Sequence, residues 1–162
     1  MKIIYITGEP AQGKSTFARR LKGFHFEMDK MYVLYKLERD ILYDDFDQSD
    51  WTTWNKYPDL EEYKKNYYKI LKSIVPDDVL IVDSVTIARK EERDLIEDVF
   101  KPDETEMIII RSEDHKENYL EKFFKESPET FGSIEYFNYK NKLFSEGLEP
   151  CENTTIYERK KK

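Results

Sequence analysis

The chain has 162 residues, of which 39% are hydrophobic, 38% charged and 15% aromatic, and its formal net charge is −7 at pH 7. This length suits one globular domain, and so many aromatic residues carry more buriable surface than a disordered chain would. An acidic protein has no general attraction to nucleic acid or anionic membranes, which disfavours indiscriminate coating of DNA or RNA but still allows a local basic cleft for a polyanionic substrate.

The sequence also lacks the features of membrane and secreted proteins. No apolar run approaches the roughly 18 residues that a membrane span needs. The opening apolar stretch, residues 3–6, is too short for a signal peptide. The single cysteine, Cys151, forbids an internal disulfide and a cysteine-based zinc site, which indicates a reducing cytosol. We therefore expect a cytoplasmic protein without a membrane partner.

Short β-branched runs alternate with amphipathic runs along the chain. The predicted strands are residues 2–7, 24–28, 79–82, 107–110 and 154–157. The predicted helices are residues 15–22, 30–42, 59–75, 89–100, 113–125 and 133–144. The buried stripes expected on the second and third helices are Met31, Leu34, Leu37 and Ile41, and then Leu60, Tyr63, Tyr67, Ile70 and Ile74. This alternation predicts one α/β domain, a parallel sheet with helices on both faces.

The first predicted strand leads into a phosphate-binding pattern, Gly, four residues, then Gly-Lys-Ser. Its position between a strand and a helix is the context that the pattern requires. The glycines allow close backbone approach, and the loop amides with the helix N-terminus bind phosphate. Lys14 is expected between the β- and γ-phosphates, Ser15 on Mg²⁺ and Thr16 at the α-phosphate. The predicted ligands of Mg²⁺ and ATP in this loop are Gly8, Ala11, Gln12, Gly13, Lys14, Ser15 and Thr16.

The loop alone does not identify the acceptor of the phosphoryl group, because kinases, ATPases, GTPases and helicases all use such loops. The guanine signature Asn-Lys-x-Asp is missing from any plausible place, which disfavours a GTPase. The chain is also too short for the large lid domain of oligomeric ATPases. A small kinase is therefore the leading class.

Two aspartates at strand ends are candidates for the chemistry of transfer. Asp29 follows the second predicted strand, at the edge of the sheet where ligands bind, and is the candidate general base, with Glu27 as a possible companion. Its alternative role is the N-cap of the following helix. Asp83 ends the most hydrophobic strand and is the candidate Mg²⁺ ligand, with a turn or helix cap as its alternative.

Cations are needed to neutralise the charge that develops during transfer. A lid is predicted at residues 113–132, and the candidate cations in it are Lys122 and Lys125, although a lysine in such a segment is more often a solvated surface residue. Arg89 and Arg93 could hold an acceptor phosphate or simply pair with acidic neighbours on their helix.

Other polar and aromatic residues receive no firm role. His25 and His115 lack metal-ligand spacing, and Trp51 and Trp54 could stack a base but more commonly would pack in the core. The basic tail, residues 159–162, is expected to be a frayed terminus.

These residues as a set resemble the kinase domain of phage polynucleotide kinase and its small relatives, over most of the chain. The resemblance implies that Asp29 activates a 5′-hydroxyl and that Lys125 lies near the position of the lid arginine. Tyr32 stands where relatives have an arginine that holds the acceptor phosphate, so it becomes a candidate acceptor contact. This difference is compatible with a related group of phage kinases that phosphorylate 5-hydroxymethyl-deoxyuridine in DNA.

The sequence thus predicts a single-domain P-loop kinase over residues 1–162, similar to nucleoside-monophosphate kinases, with strand order 2-3-1-4-5. Its expected reaction is transfer from Mg·ATP to a hydroxyl of a nucleic acid. One alternative is a kinase of a free nucleoside, nucleotide or other small molecule, which the acidic surface favours. Another is a nucleotide-binding ATPase or switch, whose partner surface would be residues 44–54.

Overall fold

The structure is a computed structural model that describes residues 1–9, 12–42, 46–48, 50–76, 78–124 and 134–159, with residues 122–124 described by their backbone only. Its strands are β1 (Lys2–Thr7), β2 (Phe24–Glu27), β3 (Val79–Asp83), β4 (Glu104–Ser112) and β5 (Thr154–Arg159). Its helices are α1 (Lys14–Ala18), α2 (Met28–Glu38), α3 (Leu60–Ile74), α4 (Lys90–Phe100), α5 (His115–Phe124) and α6 (Ile134–Gly147). Two short 3₁₀ segments, Trp51–Lys56 and Thr86–Ala88, precede α3 and α4.

The strands form one parallel sheet in the order β2-β3-β1-β4-β5, which confirms the predicted strand order. β1 lies at the centre and pairs with β3 and β4. The register places Ile6 beside Asp83 and Glu27 beside Asp83 as well, so these strands end at a common level. The carboxyl ends of β1, β2 and β3 therefore bring their following loops to one edge of the sheet, where ligands bind in such folds.

Both faces of the sheet are covered, as the near-continuous apolar strands predict. On one face, a small cluster of Ile6, Ile81 and Ile110 packs against Ala18 of α1. On the other face, a larger cluster joins the sheet to α2, α3 and α4, and fully buried tyrosines contribute much of its volume: Tyr5, Tyr32, Tyr35 and Tyr68. In the described part of the chain, no helix is both long and apolar enough to cross a membrane.

The predicted stripe of α3 is wrong in detail. Ile70 and Ile74 are 65% and 62% exposed, whereas the residues that α3 buries are Leu60, Lys64, Tyr68 and Leu71. The buried row repeats every three to four residues, as a helix face must, but it includes a lysine that forms a buried ion pair with Glu92. The helix is thus rotated from the orientation that apolarity alone predicts.

The predicted stripe of α2 is also wrong for two of its members. Met31 is buried, but Leu34 and Leu37 are 43% and 67% exposed. The large side chains that fill the space against α3 are instead Tyr32 and Tyr35, which are both fully buried. Their hydroxyls have partners, since Tyr32 donates to Glu92 and Tyr35 to Asp59, so burial of these polar atoms carries little penalty.

Candidate active site

The phosphate-binding loop joins β1 to α1 at the carboxyl edge of the sheet, in the context that its sequence pattern predicts. Gly13 precedes α1 with a φ of 85°, in the left-handed region that favours glycine. A Cβ on Gly8 would lie 2.6 Å from the carbonyl oxygen of Ile110, so this position also requires glycine. Ala11, a predicted phosphate ligand, lies outside the described residues.

Replacing Gly13 by alanine is expected to weaken nucleotide binding by at least about tenfold, which corresponds to about 1.4 kcal/mol. The left-handed backbone strains alanine, and the new Cβ would lie 1.7 Å from Nη1 of Arg159, which would have to leave the loop. Titration with a fluorescent ATP analogue measures the affinity, and thermal unfolding reports whether the variant folds. A folded Gly13→Ala protein with unchanged affinity would contradict the assignment of this loop.

The loop lysine lies inside the loop. Lys14 is 9% exposed, and its ammonium donates to the carbonyl oxygen of Glu9 at 2.9 Å. Gln12 is 4% exposed, and its side-chain oxygen finds no hydrogen-bond partner among the described residues. Thr16 is exposed in the first turn of α1. The loop thus presents a cation and polar groups at one small site, as phosphate binding requires.

The carboxylate of Glu9, a residue without a predicted role, ties the loop to the two last helices. Nδ1 of His115 in α5 lies 3.1 Å from Oε2 of Glu9. Asn141 of α6, with its amide nitrogen turned toward Glu9, donates to the two carboxylate oxygens at 3.1 and 3.0 Å. Sequence spacing offered no signal for this contact, because the three residues lie more than 100 positions apart along the chain or on different helices.

Ser15 and Asp83 meet at the predicted metal position. The hydroxyl of Ser15 donates to Oδ1 of Asp83 at 3.3 Å, and the Asp83 side chain is only 5% exposed. One hydroxyl and one carboxylate fit Mg²⁺, which takes few protein ligands and completes its shell with water and phosphate oxygens. Among the described residues, no group of three or more His, Cys, Asp or Glu side chains is arranged to bind a metal.

Asp29 lies at the same edge, in the first turn of α2. The helix begins at Met28, and its N-cap position is Glu27, so the alternative role of Asp29 as N-cap does not apply. The Asp29 side chain is exposed and lies two residues beyond the end of β2, the neighbour of β3. The fold therefore places an exposed carboxylate one strand away from the carboxylate that fits Mg²⁺.

Glu27, the predicted companion of Asp29, is held by cations. Nη2 of Arg19 lies 3.2 Å from Oε1 of Glu27, and Nζ of Lys30 lies 3.3 Å from Oε2. Burial acts to raise the pKa of the Glu27 carboxyl, but hydrogen bonds from Arg19 and Lys30 outweigh it, so its pKa lies below the ordinary value. A carboxylate stabilised in its charged form is a weaker proton acceptor, which leaves Asp29 as the better candidate base.

Two of the three predicted acceptor contacts are structural residues. Tyr32 is fully buried, and its hydroxyl donates to Glu92 at 3.1 Å in the core. Arg93 is 4% exposed, and its guanidinium donates to the backbone carbonyls of Ile87, Ala88 and Glu149. Neither side chain reaches an acceptor, since the space around each is filled by protein atoms.

Arg89 is the predicted acceptor contact that keeps a position at the edge. It precedes α4, six residues beyond Asp83, and its guanidinium carbon lies 4.5 Å from the centre of the Trp51 ring. Its Nε is buried and has no hydrogen-bond partner among the described residues. A guanidinium that is stacked on an indole and is not fully hydrogen-bonded can still bind an anionic group.

The acidic segment between α2 and α3 is clamped to α6 in its described part. Asp47 accepts hydrogen bonds from Tyr136 and Lys140, both at 2.6 Å, and Asp50 accepts one from Tyr139 at 2.8 Å. Both aspartates are thus hydrogen-bonded to α6, which weakens the interpretation of residues 44–54 as a partner surface. Residues 44, 45 and 49 of this segment lie outside the described residues.

The predicted lid is described only in part. Residues 115–124 form α5, but the side chain of Lys122 and the whole of Lys125 lie outside the described residues, so their roles stay predictions.

Arg159, assigned to a frayed tail by sequence, is instead part of the site. It ends β5 at the carboxyl edge, and its Nη1 donates to the carbonyl oxygen of Gln12 in the phosphate loop at 3.2 Å. Its own carbonyl accepts a hydrogen bond from the backbone of Glu113. The predicted strand, residues 154–157, stops two residues before this arginine. A prediction longer by those two residues would have placed Arg159 at the carboxyl edge of the sheet.

Comparison with solved structures shows which fold this arrangement belongs to. A sugar kinase from Janibacter sp. is 13% identical with a TM-score of 0.53, and the match covers 98% of this chain and 85% of that one. A gluconokinase from Sinorhizobium meliloti is 14% identical with the same TM-score, and the match covers 97% and 82%. The chain therefore has the fold of these P-loop kinases. No protein-family model matches the sequence, and no curated protein matches it either. The predicted resemblance to phage polynucleotide kinase gains no support from these neighbours.

Proposed function

We propose that the protein is a kinase that transfers the γ-phosphoryl group of Mg·ATP to a hydroxyl of a free small molecule of the sugar or sugar-acid class. The observation that carries the proposal is the arrangement at one sheet edge: a phosphate loop, the Ser15–Asp83 pair and the exposed carboxylate of Asp29. These are the parts that phosphoryl transfer requires: a cradle for the phosphates, a metal position and a group that readies the nucleophile.

The residues divide the work of transfer as follows. The loop amides and Lys14 bind the β- and γ-phosphates, and Ser15 and Asp83 would hold Mg²⁺, which neutralises the charge on the phosphate oxygens. Asp29 orients the acceptor hydroxyl and takes its proton as the oxygen bonds to the γ-phosphorus and the bond to the ADP oxygen breaks. Lys122 or Lys125 would add positive charge from the lid.

The acceptor side favours a small molecule over a nucleic acid. Two of the three predicted acceptor contacts are buried in the core, so Arg89 is the one of them that stays at the edge. A polynucleotide needs several cations along its backbone, whereas one guanidinium suffices for a single carboxylate or phosphate. The net charge of −7 points the same way, and the structural neighbours include a sugar kinase and a gluconokinase.

A panel of acceptors tests the proposal. Purified protein with Mg·ATP is offered six-carbon sugars, sugar acids, nucleosides, nucleotides, a 5′-hydroxyl oligonucleotide and DNA with hydroxymethylated bases, and ADP release is measured with a Lys14→Ala variant as background. We expect one or more sugars or sugar acids to stimulate ADP release, with the product confirmed by mass spectrometry.

The panel also separates the alternatives. Transfer only to the oligonucleotide or the modified DNA would overturn the small-molecule proposal in favour of a nucleic-acid kinase. Nucleotide hydrolysis that no acceptor stimulates would instead support an ATPase or switch.

A further inference from the structure

His25, a residue to which the sequence assigns no role, contacts the candidate metal ligand directly. Its Nε2 hydrogen-bonds Oδ2 of Asp83, the carboxylate oxygen that Ser15 does not use. Because a carboxylate only accepts, the ring nitrogen is the donor. Both oxygens of Asp83 are thus engaged, Oδ1 by the loop helix and Oδ2 by the neighbouring strand.

The strands fix this contact. β2 and β3 are parallel neighbours with His25 beside Ile81 and Glu27 beside Asp83. Side chains two residues apart on a strand share a face, so His25 and Glu27 lie on the same face of β2. The ring is only 17% exposed, and its Nδ1 lies 3.9 Å from Oε1 of Glu27. The imidazole therefore lies between the two carboxylates, with little freedom to turn away.

We propose that His25 is a positioning residue that holds the carboxylate of Asp83 in the orientation that binds the magnesium of Mg·ATP. With Oδ2 of Asp83 occupied by the imidazole, Oδ1 of Asp83 faces the hydroxyl of Ser15. Oδ1 of Asp83 and the hydroxyl oxygen of Ser15 are the two protein ligands that would share the metal. Groups that hydrogen-bond metal ligands orient them, and their loss typically costs about 10–100-fold in metal affinity or activity. This proposal rests on the proposed function only for the identity of the nucleotide, since it concerns the metal and not the acceptor.

The test separates nucleotide binding from its metal dependence. A fluorescent, non-hydrolysable ATP analogue is titrated in EDTA and in excess Mg²⁺, and Mg²⁺ is then titrated at fixed nucleotide. The variants are His25→Phe, which keeps a ring of similar size without a donor, and His25→Gln, whose amide nitrogen can replace Nε2.

We expect His25→Phe to bind the analogue in EDTA as the unmodified protein does, but to need about 10–100-fold more Mg²⁺ for half-maximal tightening. We expect His25→Gln to recover most of this loss, because an N–H donor returns to Asp83. The matched control is Glu106→Gln, which removes a partner of Lys2 at the opposite edge of the sheet and should leave the Mg²⁺ requirement unchanged.

The outcomes are distinguishable. An unchanged Mg²⁺ requirement in folded His25→Phe overturns the proposal, and so does an equal loss of affinity in EDTA and in Mg²⁺, which indicates a purely structural role. If the variants behave as expected while no acceptor in the panel is phosphorylated, the role of His25 stands and the proposed function fails. A protein that binds no nucleotide overturns both.

Discussion

Alanine in place of Asp29 is expected to lower phosphoryl transfer by about 10²–10⁴-fold, the usual contribution of a general base. Nucleotide affinity is expected to stay nearly unchanged, because Asp29 lies in the first turn of α2 and belongs to neither the phosphate loop nor the Ser15–Asp83 pair. The measurement is a steady-state assay with the best acceptor from the panel, alongside titration of the fluorescent ATP analogue.

Two further variants sharpen this experiment. Asp29→Asn keeps the shape but cannot take a proton, so it should lose about as much activity as the alanine variant. Glu27→Gln is the matched control two residues earlier, and we expect a smaller loss because hydrogen bonds from Arg19 and Lys30 stabilise its charged form. Full transfer activity in either Asp29 variant would show that the base lies elsewhere.

The strands and their order could be predicted because they depend on local patterns and on few topological choices. Runs such as residues 79–82 are short, β-branched and bounded by turn residues, and alternation with helices restricts the sheet to parallel arrangements. The phosphate loop was predictable for a similar reason, since its pattern and its strand–helix context lie within one stretch of sequence. The order 2-3-1-4-5 and the position of the loop are both confirmed.

The faces of α2 and α3 were less predictable, because polar residues with buried partners count as exposed when only apolarity is considered. Lys64 is buried and Ile70 exposed on the same helix, and no local pattern reveals that Glu92, 28 residues later, neutralises the lysine. Tyr32 is a similar case: it stands where relatives have an arginine, which suggested an acceptor contact, but its hydroxyl donates to Glu92 in the core.

The parts of the site that sequence missed are contacts between distant segments. Asp83 and His25 are 58 positions apart, and Arg159 lies 147 positions from Gln12. Each pair meets only because the sheet brings the carboxyl ends of its strands to one edge. For His25 the sequence did contain a signal, because residues two apart on a strand share a face and His25 therefore lies on the same face of β2 as Glu27. The sequence contained no such signal for Glu9.

The largest expected change in stability follows from the buried ion pair between α3 and α4. Glu92 is fully buried and accepts hydrogen bonds from Lys64 at 2.7 Å, Tyr68 at 3.0 Å and Tyr32 at 3.1 Å. Burial raises the pKa of both tyrosine hydroxyls well above the ordinary value, so they stay protonated donors. This network joins three helices of the large core around one carboxylate.

Lys64→Met is therefore expected to lower the free energy of unfolding by about 3–5 kcal/mol, because it leaves a buried carboxylate without its countercharge. The control is Lys65→Met on the same helix, whose pair with Glu61 is exposed and should contribute less than about 1 kcal/mol. Urea unfolding followed by tryptophan fluorescence measures both. The double variant Lys64→Met/Glu92→Gln should be more stable than the sum of the single losses predicts, since it removes the stranded charge. Equal decreases in the free energy of unfolding for Lys64→Met and Lys65→Met would contradict the importance of this ion pair. Removing the partner of a buried charge must cost more stability than removing the partner of an exposed one.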